Sequence, residues 1–316
     1  MKKLSAILLL LMVVQVSAQE VDLKKFEKNY IFQEYKNPFK RANKICFLGV
    51  NLGIKTHSVD YKGKRREGDY SGLITYIDGI TVDQGQELAD LFRKKLETKF
   101  KEMGFTIVDP NSLVEDDQYK KLVDNTIKRD GKTIFFPEMG GFRTFSTDNR
   151  PVFKFPKFAG GAHSRLANQQ DMLVVNFSPV LEPYMINWDR EFKGYGYNSI
   201  QYKDKFDFEA VTRMTHFSHI FYYDLPQQVQ GTDYSFLIFK GPTEGKYDEL
   251  LYTKAEPYIL EVVKGSGDGI ENLSKVRNNT AVLGLKIDYE KFKITAERAF
   301  DNYINHFAAY VQDRRN

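Results

Sequence analysis

Two segments of the chain repeat apolar residues at intervals of three and four, the spacing of an amphipathic helix. The first covers residues 84–103, and its apolar stripe consists of Leu88, Leu91, Phe92, Leu96, Phe100 and Met103. Thr81 or Asp83 can cap its N-terminus, and Gly104 stands where a left-handed C-cap residue belongs. The second covers residues 289–307. The pattern therefore predicts a long internal helix and a C-terminal helix.

Apolar runs of strand length lie between and beyond these helices. Runs at 45–50, 105–108 and 133–136 are separated by the first helix and by a second helical pattern from about residue 111. This alternation of strand and helix predicts a right-handed α/β unit. Further strand-like runs occur at 171–180, 206–224, 234–239, 249–252 and 258–263.

The expected domain is a single α/β domain over residues 44–316. It has a mixed sheet with flanking helices, an aromatic-rich β portion and the C-terminal helix, and an α+β arrangement stays open as the alternative. Residues 19–43 are expected to form a lead-in helix that packs on the domain. Residues 55–72 are interpreted as a loop or an exposed hairpin, and the Gly- and Pro-rich residues 137–170 as a long insert.

The N-terminus carries the layout of a secretory signal peptide over residues 1–18. Lys2 and Lys3 precede a short apolar run, and small residues end at Ala18. The run is too short to span a bilayer as a helix, which needs about 20 residues. We therefore expect cleavage, export to the periplasm or the exterior, and no transmembrane segment in the mature chain.

Charge and cysteine content narrow the function classes further. The net charge is +4 and falls to +2 without Lys2 and Lys3, so a nucleic-acid partner is not expected. Cys46 is the only cysteine, which excludes an internal disulfide, a zinc cysteine cluster and lipid attachment at the cleavage site. Its apolar neighbours predict a buried, unreactive thiol.

The sequence lacks three motifs that are typical of enzyme active sites. The chain has no phosphate loop, no Gly-x-Ser-x-Gly elbow and no His-Glu-x-x-His, and no cofactor is expected. The best catalytic or metal-binding candidates are His216, His219 and Asp224, which could share a face on a helix. Their segment reads as a strand, however, where His216 and His219 point to opposite faces. His163, beside Ser164, is a further catalytic candidate.

Aromatic residues concentrate between residues 184 and 239. They suit a packed sheet, and they also suit a ligand-binding platform. Trp188, Tyr195 and Tyr197 are the candidate ligand-binding residues for a glycan or a peptide. Carboxylates such as Asp207 and Glu209 lie among these aromatic residues in the sequence. Because a glycosidase uses paired carboxylates, a glycosidase also remains an alternative.

The order of elements from strand 44–50 through helix 84–103 and strand 171–180 resembles a known domain. It is similar to the small α/β domain of the bacterial envelope proteins TolB and CsgG, where a helix ends in glycine and is followed by a strand and an Asp. Gly104 to Asp109 carry that feature here. The resemblance covers a third to a half of the chain, and it implies a role in the bacterial envelope.

The leading hypothesis is an exported, non-enzymatic binding or assembly protein whose partner is an envelope protein or a glycan. The alternatives are a secreted hydrolase, with or without a metal ion, and a carbohydrate- or peptide-binding protein. The oligomeric state is not predicted from the sequence.

Overall fold

A computed structural model gives the fold of most of the chain after the expected leader, which lies outside the described residues. The described residues are 22–35, 37, 39–40, 42–62, 71–124, 126–127, 133–136, 140–146, 152–153, 162–177, 179–195, 200–216, 220–224, 234–239, 252–254, 257–264 and 280–316.

Helices and strands alternate along the first half of the chain, and strands dominate the second half. The helices are α1 Leu23–Tyr30, α2 Val82–Glu102, α3 Asp117–Val123, α4 Ala162–Gln170 and α5 Tyr289–Arg315, with a 3₁₀ turn at Pro110–Leu113. The strands are β1 Ile31–Tyr35, β2 Lys44–Lys62, β3 Ser71–Asp78, β4 Thr106–Ile107, β5 Thr126–Ile127, β6 Thr133–Phe136, β7 Gly140–Ser146, β8 Val152–Phe153, β9 Leu173–Phe177, β10 Pro179–Glu182, β11 Met185–Tyr195, β12 Ile200–Glu209, β13 Val211–His216, β14 Ile220–Asp224, β15 Tyr234–Phe239, β16 Tyr252–Lys254, β17 Ile259–Lys264 and β18 Thr280–Ile287.

The main sheet is organised around the 19-residue strand β2. The first half of β2 pairs in parallel with β4 and β9, as the βαβ pattern predicts. Its second half pairs antiparallel with β7 and β3. The sheet is therefore mixed, and the fold is α/β with flanking helices, which confirms the predicted class.

Helices cover both faces of the first half of β2. Ile45 and Phe47 belong to one core cluster with α2 and α5, and Cys46 and Leu48 belong to a second cluster with α3 and α4. Because successive side chains of a strand point to opposite faces, both faces of this segment are buried. This explains its unbroken apolar run and places Cys46 in a fully buried position.

The ends of α2 follow the predicted capping pattern. Thr81 is the N-cap and forms a capping box with Gln84, with distances of 2.8 Å and 3.2 Å between the paired atoms. Gly104 follows the helix with φ of +85°, the left-handed conformation that glycine adopts without strain.

Some segments differ from the sequence expectations. β2 continues to Lys62 and pairs with β3 as the hairpin alternative proposed, rather than ending near residue 50. The expected insert at 137–170 contributes β7 to the main sheet and contains α4. The helix expected from about residue 111 is confined to α3, and the expected lead-in segment 19–43 contains the short helix α1, which is followed by β1.

The two ends of the described chain pack together. Phe26 of α1 is fully buried, and its ring lies 6.2 Å from that of His306 and 5.9 Å from that of Tyr310. Arg314 of α5 pairs with Glu27 of α1 at 2.6 Å. Among the helices of the described residues, none has both the length and the apolar character that crossing a bilayer requires.

Candidate functional site

The most distinctive feature in the aromatic part of the chain is a long ribbon made of β11 and β12. Within the described residues these strands pair only with each other, in a register that runs from Met185 opposite Glu209 to Tyr195 opposite Ile200. Because an isolated two-stranded hairpin is marginally stable in water, the ribbon needs contacts that hold one of its faces.

The two faces of the ribbon differ in chemistry. One face carries exposed polar and charged side chains, namely Asn187, Asp189, Glu191, Lys193, Lys203, Lys205 and Asp207. The other face, called here the aromatic face, consists of Ile186, Trp188, Arg190, Phe192, Asp204, Phe206 and Phe208. Most of these side chains are half-buried, and Phe192 is 51 % exposed.

Polar contacts fix Trp188 in the middle of the aromatic face. Its indole Nε1 donates a hydrogen bond to Asp204 Oδ1 at 2.9 Å, and Arg190 Nε lies 3.5 Å from the same oxygen. The Trp188 ring also packs against Phe206, with 5.2 Å between ring centroids. These contacts hold a large amphipathic ring in one orientation at a half-exposed position, as binding surfaces require.

Tyr184 attaches the ribbon to the main sheet. Its hydroxyl lies 2.5 Å from Thr75 Oγ1 on β3, and its ring lies 6.4 Å from that of Phe208. Burial raises the pKa of Tyr184 above its usual range, so the phenol remains neutral and serves as an anchor. The ribbon is therefore fixed at its base.

A cavity of about 540 Å³ opens at this base. Its lining comes from β12 and its C-terminal neighbour on one side and from β17 and β18 on the other, and consists of Phe206, Asp207, Phe208, Glu209, Ala210, Pro257, Ile259, Val262 and Leu283. This volume is within the range of small-ligand sites. The aromatic face and this cavity together form the candidate binding surface.

Exposed aliphatic side chains continue the surface onto β17. Leu260 is 65 % exposed and Val262 is 44 % exposed, and Val262 lines the cavity. Within the described residues β17 pairs with β18 alone, so its other edge has no strand partner there. An unpaired strand edge can accept an added strand.

A second cavity, of about 460 Å³, lies along α2. Its charged lining combines the acids Asp90, Glu97 and Asp109 with the bases Arg93, Lys94 and Lys101. Arg93 and Glu97 already form an ion pair at 2.8 Å. The opposed charges favour internal pairing rather than selection of a charged ligand.

The strand registers separate His216 from Asp224, two of the expected catalytic residues. His216 pairs with Pro179, and Tyr222 pairs with Val174. Pro179 and Val174 are five residues apart, which corresponds to roughly 16 Å at 3.3 Å per residue. Asp224 ends β14, two residues beyond Tyr222. These registers do not bring the backbones of His216 and Asp224 together, and His219 lies outside the described residues.

Two other histidines, His163 and His57, are buried. His163 is near the start of α4 at 3 % exposure, and burial lowers its pKa to about 4. His57 on β2 contacts Thr56 at 2.9 Å and stacks on Tyr76, and burial with the nearby Arg143 charge lowers its pKa to about 4. Both side chains are therefore neutral at pH 7.

Of the expected ligand-binding aromatics, Trp188 lies on the aromatic face. Tyr195 is the last residue of β11, and Tyr197 lies outside the described residues. Sequence reasoning missed Phe206, Phe208 and Val262 as part of this surface. The alternation of aromatic and charged residues over 202–209 was the signal that could have identified the ribbon.

The described residues contain no group of three or more His, Cys, Asp or Glu side chains placed to hold a metal ion. Comparisons with family models, with curated proteins and with solved structures found no match to this chain. The site's geometry therefore carries the functional argument.

Proposed function

We propose that this protein is an exported, non-enzymatic binding or assembly protein that engages a partner polypeptide of the bacterial envelope or exterior. The observation that carries the proposal is the aromatic face, a half-exposed surface of the ribbon that adjoins a cavity of about 540 Å³. Aromatic residues and Arg are enriched at the centres of protein interfaces, and both occur here.

The rigidity of the surface supports a binding role. Trp188 is held by Asp204, and the ribbon is anchored through Tyr184. A surface that is already ordered loses less conformational entropy when a partner binds. The exposed Phe192 and Val262 extend this ordered surface outward from the cavity.

The proposal includes a location in the bacterial envelope or exterior. It is supported by the signal-peptide pattern over residues 1–18 and by the order of sequence elements that resembles the TolB and CsgG domain. Export also fits a chain whose single cysteine is buried, because an exposed free thiol is prone to oxidation outside the cytoplasm.

A glycan is the second candidate ligand, and the half-exposed Trp188 favours it. Sugar rings stack on aromatic side chains, and Trp188 with Phe206 presents two neighbouring rings. Within the described residues β17 pairs with β18 alone, and this favours a polypeptide over a glycan because backbone groups on its other edge can pair with an added strand.

Co-purification with matched surface variants tests the proposed function. Phe192→Ser and Val262→Ser remove exposed apolar groups of the candidate surface, and Ile294→Ser on α5 is the control, since Ile294 is 53 % exposed. We expect the first two variants to lose a co-purifying polypeptide that the wild type and the control retain. Equal recovery with all four proteins would contradict the proposal.

A further inference from the structure

The cavity at the base of the ribbon follows the backbone of β12. Residues 206–210 line it without a break, and none of the described lining residues comes from β11. Because successive side chains of a strand point to opposite faces, five consecutive residues reach one cavity along the edge of the strand, where the main chain is presented. β11 pairs with one edge of β12, so the cavity lies along the other edge.

This outer edge of β12 can receive a strand. Within the described part of the chain β12 pairs with β11 alone. A strand edge presents N–H and C=O groups at alternate residues, and these groups can bond an added strand. Glu209 already makes another interaction, so we assign the main-chain pairing to residues 206–208.

The opposite wall of the cavity consists of apolar side chains on one face of β17 and β18. Ile259 of β17 pairs with Ile287 of β18. Val262 pairs with Leu285, and Leu283 shares the face of Leu285 because residues two apart in a strand point the same way. The three side chains that line the cavity on this side are Ile259, Val262 and Leu283. β17 and β18 therefore offer side-chain contacts to whatever lies against β12.

A main-chain edge on one side and an apolar wall on the other fit an extended peptide. An added strand makes main-chain hydrogen bonds to the edge, and its alternate side chains enter neighbouring pockets. A lipid chain would contact the wall but leave the N–H groups of the edge without acceptors, which costs free energy. The lined edge, residues 206–210, matches a peptide segment of about five residues.

We propose that an extended segment of a partner polypeptide adds to the outer edge of β12 as a third strand of the ribbon, with alternate apolar side chains against Ile259, Val262 and Leu283. This inference rests on the proposed function and specifies how the ligand binds and which strand receives it. The added strand widens the aromatic face beside Phe206 and Phe208. Main-chain pairing belongs to β12, and side-chain contact belongs to β17 and β18.

The sole tryptophan, Trp188, reports on binding, because its ring packs on Phe206 at the cavity wall. The purified protein is titrated with the acetylated and amidated heptapeptide Thr-Val-Thr-Val-Thr-Val-Thr while Trp188 emission is followed. One comparison peptide is N-methylated at every Val and the other at every inner Thr. Because alternate N–H groups of a strand point to opposite edges, only one of the two sets faces β12. We expect one N-methylated peptide to bind about tenfold more weakly than the parent and the other to bind equally well.

Amide hydrogen exchange identifies the strand that receives the peptide. Saturating peptide is expected to slow exchange about tenfold within residues 206–208 of β12 and to leave residues 260–264 of β17 unchanged, because β17 takes part through side chains. Val262→Ser removes part of the apolar wall and is expected to weaken binding of the parent peptide about tenfold. Ile294→Ser on α5 is the control with unchanged affinity. Circular dichroism of each variant verifies folding.

Equal binding of both N-methylated peptides, or loss of binding with both, would overturn one-sided pairing with β12. Protection of β17 in place of β12 would overturn it as well, and so would a dimer of this chain that protects residues 206–208 without any peptide. If no peptide binds while Phe192→Ser and Val262→Ser still lose a co-purifying polypeptide, strand addition is wrong and the binding role is retained. If these variants also keep the polypeptide, the proposed function itself fails.

Discussion

Gly85, in the first turns of α2, shows how tightly the helix packs on the sheet. A Cβ built at this position would lie 2.2 Å from Cζ of Phe145 on β7. Phe145 is itself 3 % exposed, so its ring has little room to move. The absence of a side chain at Gly85 is therefore a packing requirement, which the amphipathic pattern alone does not reveal.

Gly85→Ala reverses the usual sign of a glycine-to-alanine change in a helix. Alanine normally stabilises a helix interior by about 1 kcal/mol relative to glycine. Here we expect a loss of roughly 1–3 kcal/mol in the free energy of unfolding, because the methyl group overpacks the contact with Phe145. Urea unfolding measures it, with Thr98→Ala on the exposed side of α2 as the control. A stabilised Gly85→Ala variant would contradict the packing.

His163 predicts a pH dependence of stability. Its pKa is about 4 in the folded chain, against an ordinary value of 6.5. The unfolded chain therefore takes up a proton near pH 6.5 that the folded chain does not bind until about pH 4, and stability falls between these values as pH decreases. From pH 7 to pH 5 the loss is roughly 2 kcal/mol from this group.

The check is a comparison of urea unfolding at pH 7 and pH 5 for the wild type and His163→Gln. The variant is expected to lose less stability between the two pH values, whatever its stability at pH 7. NMR titration of the wild-type imidazole gives an independent reading, because the ring should remain neutral down to about pH 4. Parallel pH profiles and an ordinary imidazole pKa would exclude this effect.

At the scale of elements, the start of α2 depends on a short local signal. Thr81 accepts a hydrogen bond from Gln84 N, and the Gln84 side chain accepts one from Thr81 N. We expect Thr81→Ala to lower the free energy of unfolding by about 1 kcal/mol, because the backbone N–H of Gln84 loses the Thr81 hydroxyl as its acceptor. Thr81→Ser keeps the hydroxyl and serves as the control. Equal stability of both variants would rule out the cap.

Elements set by local pattern were predictable from the sequence, and those set by distant pairing were not. Helix α2, its cap at Thr81 and its end at Gly104 all follow from residues within a few positions. Residues 137–170 were expected to form a long insert, yet β7 within them pairs with β2 over a sequence separation of roughly 90 residues. Such a pairing depends on tertiary contacts that local propensity does not encode.

In the candidate site, too, the local sequence predicts some features and distant pairing determines the others. Trp188 was identified from the sequence because aromatic residues concentrate around it. Its alignment with Phe206 depends on the register of β11 and β12. The approach of Val262 to Phe206 depends on how β17 and β18 meet the ribbon. The sequence therefore predicted the residue type at the site, and the structure supplied its partners.

At the scale of the whole molecule, the packing of α1 on α5 joins the two ends of the chain. Phe26→Ala would remove a fully buried ring from this contact, and such a change costs about 3–5 kcal/mol. We expect α1 to detach and limited trypsin digestion to cleave the segment around residues 24–28 at least tenfold faster. Lys28→Ala, at an exposed position of α1, is the control with an unchanged rate of cleavage elsewhere in α1.

If trypsin cleaves α1 of Phe26→Ala no faster than α1 of the wild type, α1 is held by contacts other than this ring. The ion pair of Arg314 with Glu27 also joins α1 to α5, and exposed pairs contribute about 0–1 kcal/mol. The ring is therefore expected to dominate the attachment of α1.

We propose that the aromatic face of the ribbon is where this protein meets its partner. The most direct measurement is photo-cross-linking in cells that make the protein, with a benzophenone amino acid at Phe192 and, as the control, at the equally exposed Ile294. We expect one discrete polypeptide adduct from position 192 and none from position 294. The same adducts from both positions, or none from position 192, would contradict it.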